Sequence, residues 1–112
     1  MAVLNVKERQ TVKQPEARLK ERVIQDLKQL PDCWVVKVQQ VVIRGTPDLL
    51  CCICGFFVAL ELKRNARARL DPLQAYQLAK IKNAGGIAHV VHPDNWEEIL
   101  DELRALTPWG SS

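Results

Sequence analysis

Three charged side chains sit at one end of the most apolar part of this sequence. The stretch Gly45 to Lys63, GTPDLLCCICGFFVALELK, contains two apolar runs, 49–53 and 56–62, separated by Cys54-Gly55. That pattern predicts a β-hairpin. If Cys54-Gly55 is a two-residue turn, Ile53 faces Phe56, and counting back along both strands sets Asp48 opposite Glu61. Lys63 is two residues beyond Glu61 and shares its face. A three-residue loop would put Asp48 and Glu61 on opposite faces; a four-residue loop with the same centre would not. Two carboxylates side by side on a sheet repel unless something neutralises them. A divalent cation does so, and the adjacent ammonium is then available to a second negative charge such as a phosphate. The plainer alternative is a salt-bridged sheet end in which Lys63 neutralises Glu61.

A third carboxylate has the right phase to join this pair. Leu19, Val23, Leu27 and Leu30 recur at helical spacing, and Glu16 falls on the same stripe. Glu21 is expected on the opposite side. Alone, Glu16 would only complement the helix N-terminal dipole. Farther along, Asp71-Pro72 marks a helix start, with Asp71 as N-cap and Pro72 at the first helical position. Gln74, three residues after the cap, can close a capping box. Between Lys63 and that helix, RNARARL is a basic connector without apolar periodicity, read equally well as a solvated loop or as a phosphate-contacting one.

These residues carry a resemblance. Pro47-Asp48, a gap of twelve residues, then Glu61-Leu62-Lys63 resembles the PD-(D/E)XK nuclease signature. The flanking Gly45-Thr46-Pro47-Asp48-Leu49-Leu50, Ala59-Leu60-Glu61-Leu62-Lys63, Leu73-Gln74 and Ala84-Gly85-Gly86 are similar to the VRR-NUC branch, the virus-type replication-repair nucleases. That branch includes small stand-alone phage proteins and resembles Holliday-junction resolvases. The resemblance spans roughly residues 15 to 92; the PD…ExK pattern alone is weak, and the ordered set is more specific.

The resemblance implies a Mg²⁺- or Mn²⁺-dependent endonuclease that cuts duplex or branched DNA and leaves 5′-phosphate ends. Asp48 and Glu61 would ligate the metal directly, Glu16 directly or through water, and the Leu62 carbonyl is a further ligand. The metal would polarise the scissile phosphate and lower the pKa of a water. Lys63 would stabilise developing charge or hold the attacking water, and Gln74 would lie beside it. Lys37, Arg44, Arg64, Arg67 and Arg69 are the expected DNA contacts. Symmetric cutting of a junction needs two sites, and hence a homodimer.

Two other classes compete. One is a catalytically silent DNA-binding module on the same fold, against which the intact Asp48, Glu61 and Lys63 set speaks. The other is a small zinc-stabilised interaction protein: Cys51-x-x-Cys54 has knuckle spacing and His89-x-x-His92 offers a second pair. On an extended strand, however, Cys51 and Cys54 point to opposite faces, as do His89 and His92. The cysteines are better read as small core residues.

Composition bounds the rest. The chain has 112 residues, one domain's worth, and its 47% hydrophobic content is sufficient for a single core. A net charge of +3 permits nucleic acid without requiring it. The first residues lack the apolar segment of a signal peptide, and the longest apolar stretch is too short to span a membrane. Three cysteines at 51, 52 and 54 do not make a normal disulfide framework, which points to reduced thiols and a cytoplasmic protein. Six aromatics without basic interleaving argue against a single-strand stacking platform. No Ser-His-Asp arrangement, Gly-rich phosphate loop or HExxH is present.

The elements that must position the site follow in order. A loose arm or a short strand over 1–13 precedes a helix from Pro15 to about Leu30. A valine-rich strand over 33–43 leads into the hairpin. The Asp71-capped helix ends at Gly85-Gly86, and 87–92 is a strand. Asp94 then caps a third helix, Asn95 to about Leu106, with Glu97 at the capping-box position; 107–112 is a tail. This is an α/β chain with a restriction-endonuclease-like PD-(D/E)XK core: a mixed central sheet of about four strands, flanked by helices.

Overall fold

Pro31 decides where the first helix ends. A residue before proline is pushed out of the α region, and in the computed structural model, which describes residues 15–39 and 42–108, α1 runs Pro15–Lys28. Its last carbonyls are met by tighter bonds from Gln29 N–H to Asp26 O and Leu30 N–H to Leu27 O. The expected stripe is buried at Leu19, Val23 and Leu27. The arm over 1–13 and the tail from 109 onward lie outside the described residues.

Four strands follow: β1 (Cys33–Lys37), β2 (Leu49–Ile53), β3 (Phe56–Leu62) and, after α2 (Pro72–Asn83), β4 (Ile87–Val91). They lie in the order β1-β2-β3-β4. β2 and β3 form the predicted hairpin, with Ile53 facing Phe56 and Leu49 facing Leu60. Cys54 and Gly55 both have positive φ, 51° and 89°, as the turn that matches strand twist requires. Cys54 bears the cost of that conformation, and its N–H is tied to Asp32 O at 2.9 Å. β3 and β4 are parallel, joined through α2.

β1 is shorter than the valine-rich run suggests. It pairs with β2 only from Cys33 to Lys37, because β2 begins at Leu49 and offers no partner farther on. One more bond, Val38 N–H to Asp48 O, closes the ladder. Val42 and Ile43 lie in a solvent-exposed turn instead.

The two faces of the sheet are covered unequally. α1 and α3 (Trp96–Arg104) pack on one, over Leu49, Cys51, Ile53, Val58, Leu60, Leu62 and Val91. α2 packs on the other through Leu78, over Ala59 and Ala88, whose small side chains admit the helix closely. β3, covered on both sides, is buried from Val58 to Leu62. The edge strand β1 is not, and Trp34 is exposed on the face away from α1. Cys51 is buried and Cys33 and Cys54 are half-buried, but Cys52, on the less covered face, is exposed and is not a core residue.

α3 is not capped as expected. It starts at Trp96 with Asn95 as N-cap, and Asn95 makes no side-chain bond to the helix. Its amide instead closes the turn after β4, accepting from His92 N–H at 2.8 Å and donating to Val90 O at 2.9 Å. Trp96 is fully buried, and its indole N–H donates to Asp26 at 2.8 Å, fixing α3 against α1. Among the described residues, no helix is long and apolar enough to cross a membrane.

Candidate active site

The hairpin register brings Asp48 and Glu61 together. Asp48 stands immediately before β2, one step beyond the Leu49–Leu60 pair. Its Oδ2 accepts from Leu62 N–H at 2.8 Å, which fixes the carboxylate across the end of β3. Glu61 shares a strand face with Ala59, the face under α2. It is 3% exposed, the one charged residue buried among those described. Burial, and then the neighbouring Asp48 charge, push its carboxyl up to about 7, against the opposing pull of Lys63. A buried acid with a like-charged neighbour is held near neutrality in this way at many functional sites.

Lys63 completes the group. Its Nζ lies 3.5 Å from Glu61 Oε2 and donates to Gln74 Oε1 at 2.8 Å. The same Gln74 oxygen accepts from Asp71 N–H at 3.1 Å, while Asp71 Oδ1 accepts from Gln74 N–H at 2.9 Å. Gln74 is therefore both the capping-box residue of α2 and the anchor of the lysine.

A glycine makes that juxtaposition possible. Gly45 has φ +84°, and a Cβ there would lie 2.5 Å from the Leu73 carbonyl oxygen and 2.9 Å from Gln74 N. Only a residue without a side chain lets the segment leading to Asp48 rest on the first turn of α2.

Glu16 arrives from the other face. α1 packs opposite α2, and Glu16 reaches the site round the sheet end, lining a cleft of about 440 Å³ with Lys20, Glu21, Lys37, Asp48 and Leu62. Among the described residues no three His, Cys, Asp or Glu side chains converge as a metal-binding group, so Glu16 is not gathered onto the Asp48–Glu61 pair. Glu21, expected to point away, lines the same cleft. Helical phasing locates the buried stripe, but the cleft runs along the flank of α1, where Lys20, Glu21 and Ile24 also lie. Lys20 escapes the sequence reading; its signal is its position one turn after Glu16.

The expected DNA contacts are dispersed. Lys37 ends β1 in the cleft, and Arg44 lies exposed in the turn before Gly45. Arg64, Arg67 and Arg69 are exposed on the connector, which Asn65 shapes by accepting from the N–H groups of Arg67 and Ala68, both at 2.9 Å. The alternative zinc ligands do not assemble. His89 faces Glu102 at 2.8 Å, His92 Nδ1 accepts from Asp94 N–H, and the Cys54 thiol lies toward Pro31 O.

The donor set at Asp48 and Glu61 consists of hard carboxylate oxygens. Mg²⁺ is characteristically held by one or two carboxylates, completed by water and substrate phosphate. The pair fits such a cation, whose charge would offset the burial and the Asp48 repulsion that push the Glu61 carboxyl up.

A four-stranded mixed sheet between helices, with this cluster at one end, defines a restriction-endonuclease-like α/β fold. A solved structure described as a VRR_NUC domain shares it, with a TM-score of 0.68 over 81% of this chain and 95% of that chain, at 23% sequence identity. The chain thus has the VRR_NUC fold. Its sequence matches no protein-family model and no curated protein.

The raised Glu61 sets a pH dependence. Its carboxyl is near 4.5 when unfolded and about 7 when folded, so the folded state holds a proton that the unfolded chain has released. The stability tied to that proton is fully present below about 4.5 and is lost as pH rises through about 7. In EDTA, urea midpoints should fall across that window, and Glu61→Gln should flatten the fall. An equal slope in wild type and variant would show that Glu61 ionises without cost.

Proposed function

We propose that this protein is a Mg²⁺- or Mn²⁺-dependent, structure-selective DNA endonuclease. The observation that carries the reading is the buried Glu61 beside Asp48, with Lys63 held over it by Gln74. Asp48 and Glu61, with the Leu62 carbonyl, would hold the cation, and Glu16, in the adjoining cleft with Asp48, would reach it through water. When bound, it supplies Lewis-acid activation of a phosphodiester. Lys63, tethered at Nζ, offers an ammonium where negative charge develops on the phosphoryl oxygens. The Lys63 side chain is only 14% exposed, which lessens solvent screening of that interaction.

Arg44, Arg64, Arg67, Arg69 and Lys37 would bind DNA phosphates without reading sequence. The product would be a cut strand with a 5′-phosphate end. On a symmetric junction, two copies would act as a homodimer.

The test is a panel of linear duplex, flap and four-way-junction DNA incubated with Mn²⁺ and with EDTA. Cleavage in Mn²⁺ alone, strongest on a branched substrate, is expected. DNA binding without cleavage in Mn²⁺ would instead identify a silent binding module.

A further inference from the structure

An apolar surface lies next to the site. Val42 and Ile43 are 95% and 62% exposed, and Leu73 and Tyr76, one turn apart on α2, are 44% and 55% exposed. Single exposed apolar residues are ordinary, but a group beside a polar site marks a contact surface. The turn carrying Val42 and Ile43 is also held in place. Thr46 donates to Ile43 O from both Oγ, at 2.6 Å, and N–H, at 3.3 Å. Gly45 rests on Leu73 and Gln74, and Gln77 Nε2 donates to Arg44 O at 3.5 Å. The turn therefore sits on the first turns of α2, the segment that anchors Lys63.

The charge around this surface selects its occupant. Arg44 is in the turn itself, and Arg64, Arg67 and Arg69 are exposed on the connector entering α2. A second copy docked here about a two-fold axis would set like charges against like. A polyanion would not. Continuous duplex, however, shows phosphates and covers its base faces; an apolar side chain reaches a base face only where stacking is interrupted.

We propose that Val42, Ile43 and Tyr76 form a wedge that stacks on the exposed base pair at a DNA branch. The wedge would give the neighbouring site its preference for branched over continuous DNA. The inference rests on the nuclease reading above, and it names what that site would select.

The experiment is run in EDTA, without chemistry. Branched and linear DNA carry 2-aminopurine at the branch point and at the matching linear position. Wild-type protein should change the fluorescence at the branch only. The double variant Val42→Ser/Ile43→Ser and, separately, Tyr76→Ser should reduce the branched-to-linear affinity ratio by about tenfold or more. Tyr76→Phe should restore it, and melting curves check that each variant folds. An unchanged ratio in both Ser variants overturns the wedge, as does an unchanged ratio accompanied by loss of a dimer in sedimentation. Wild-type protein that binds linear and branched DNA equally in EDTA, yet cuts DNA in the Mn²⁺ panel above, overturns the wedge and leaves the metal-dependent nuclease reading intact. Protein that binds no DNA overturns both.

Discussion

Asp48→Asn and Glu61→Gln should each reduce DNA cleavage in Mn²⁺ by more than about a hundredfold, while DNA binding in EDTA stays near wild type. Neither change removes the hydrogen bonds that hold Asp48 to Leu62 N–H and Lys63 to Gln74. In Asp48→Asn, the side-chain amide oxygen can still accept from Leu62 N–H, as the Asp48 carboxylate does at 2.8 Å. Glu61→Gln places a neutral side chain where burial and Asp48 already oppose a negative charge, so folding should not suffer. What each variant loses is an anionic oxygen ligand, and hard cations bind poorly without one. Calorimetric Mn²⁺ titration should therefore weaken in step with the rate. Either variant retaining a tenth of wild-type cleavage would refute the ligand role.

The pairing behind that prediction was legible because a hairpin is a local object. Two apolar runs and a Cys-Gly turn determine a register, and the register decides which residues face each other. Gln74 as a cap was legible for the same reason: Asp71, Pro72 and Gln74 lie within one turn. Features requiring two distant elements were not. The valines near Gln39 favour a strand locally, but a strand needs a partner, and β2 begins only at Leu49. Glu21 and Lys20 in the cleft follow from how α1 lies across the sheet end, which periodicity does not encode. Asn95 behaves likewise: its amide serves the turn after β4 rather than α3, because His92 N–H and Val90 O are brought within its reach. The tether from Lys63 to Gln74 spans eleven residues and depends on Gly45 admitting one segment against another. The resemblance placed Gln74 near the site; the contact itself is tertiary.

That tether frames the second large effect. Lys63→Ala should lower the single-turnover rate by about a hundredfold to a thousandfold, with little loss of DNA affinity measured in Ca²⁺. The ammonium is half-buried, fixed at 2.8 Å by Gln74, and 3.5 Å from Glu61. A charge held in place matters most where charge develops in the transition state, and much less in ground-state binding. If Lys63 were only the salt-bridge partner of Glu61, the pattern would differ. Lys63 pulls the Glu61 carboxyl down against burial and Asp48, so its loss would push that carboxyl higher and make a proton compete with the metal. Saturating Mn²⁺ at alkaline pH would remove the competition and restore the rate. A catalytic ammonium is not replaced by either condition. Single-turnover rates of wild type and Lys63→Ala, measured at saturating Mn²⁺ and DNA from about pH 6.5 to about pH 8.5, a range that brackets the ordinary titration of a raised carboxyl, separate the two. A deficit that persists to the top of the range assigns Lys63 to the chemistry; one that closes as pH rises makes it a structural partner. Gln74→Ala gives an intermediate case, since it keeps the ammonium and removes its tether, and its deficit should be smaller than that of Lys63→Ala at every pH.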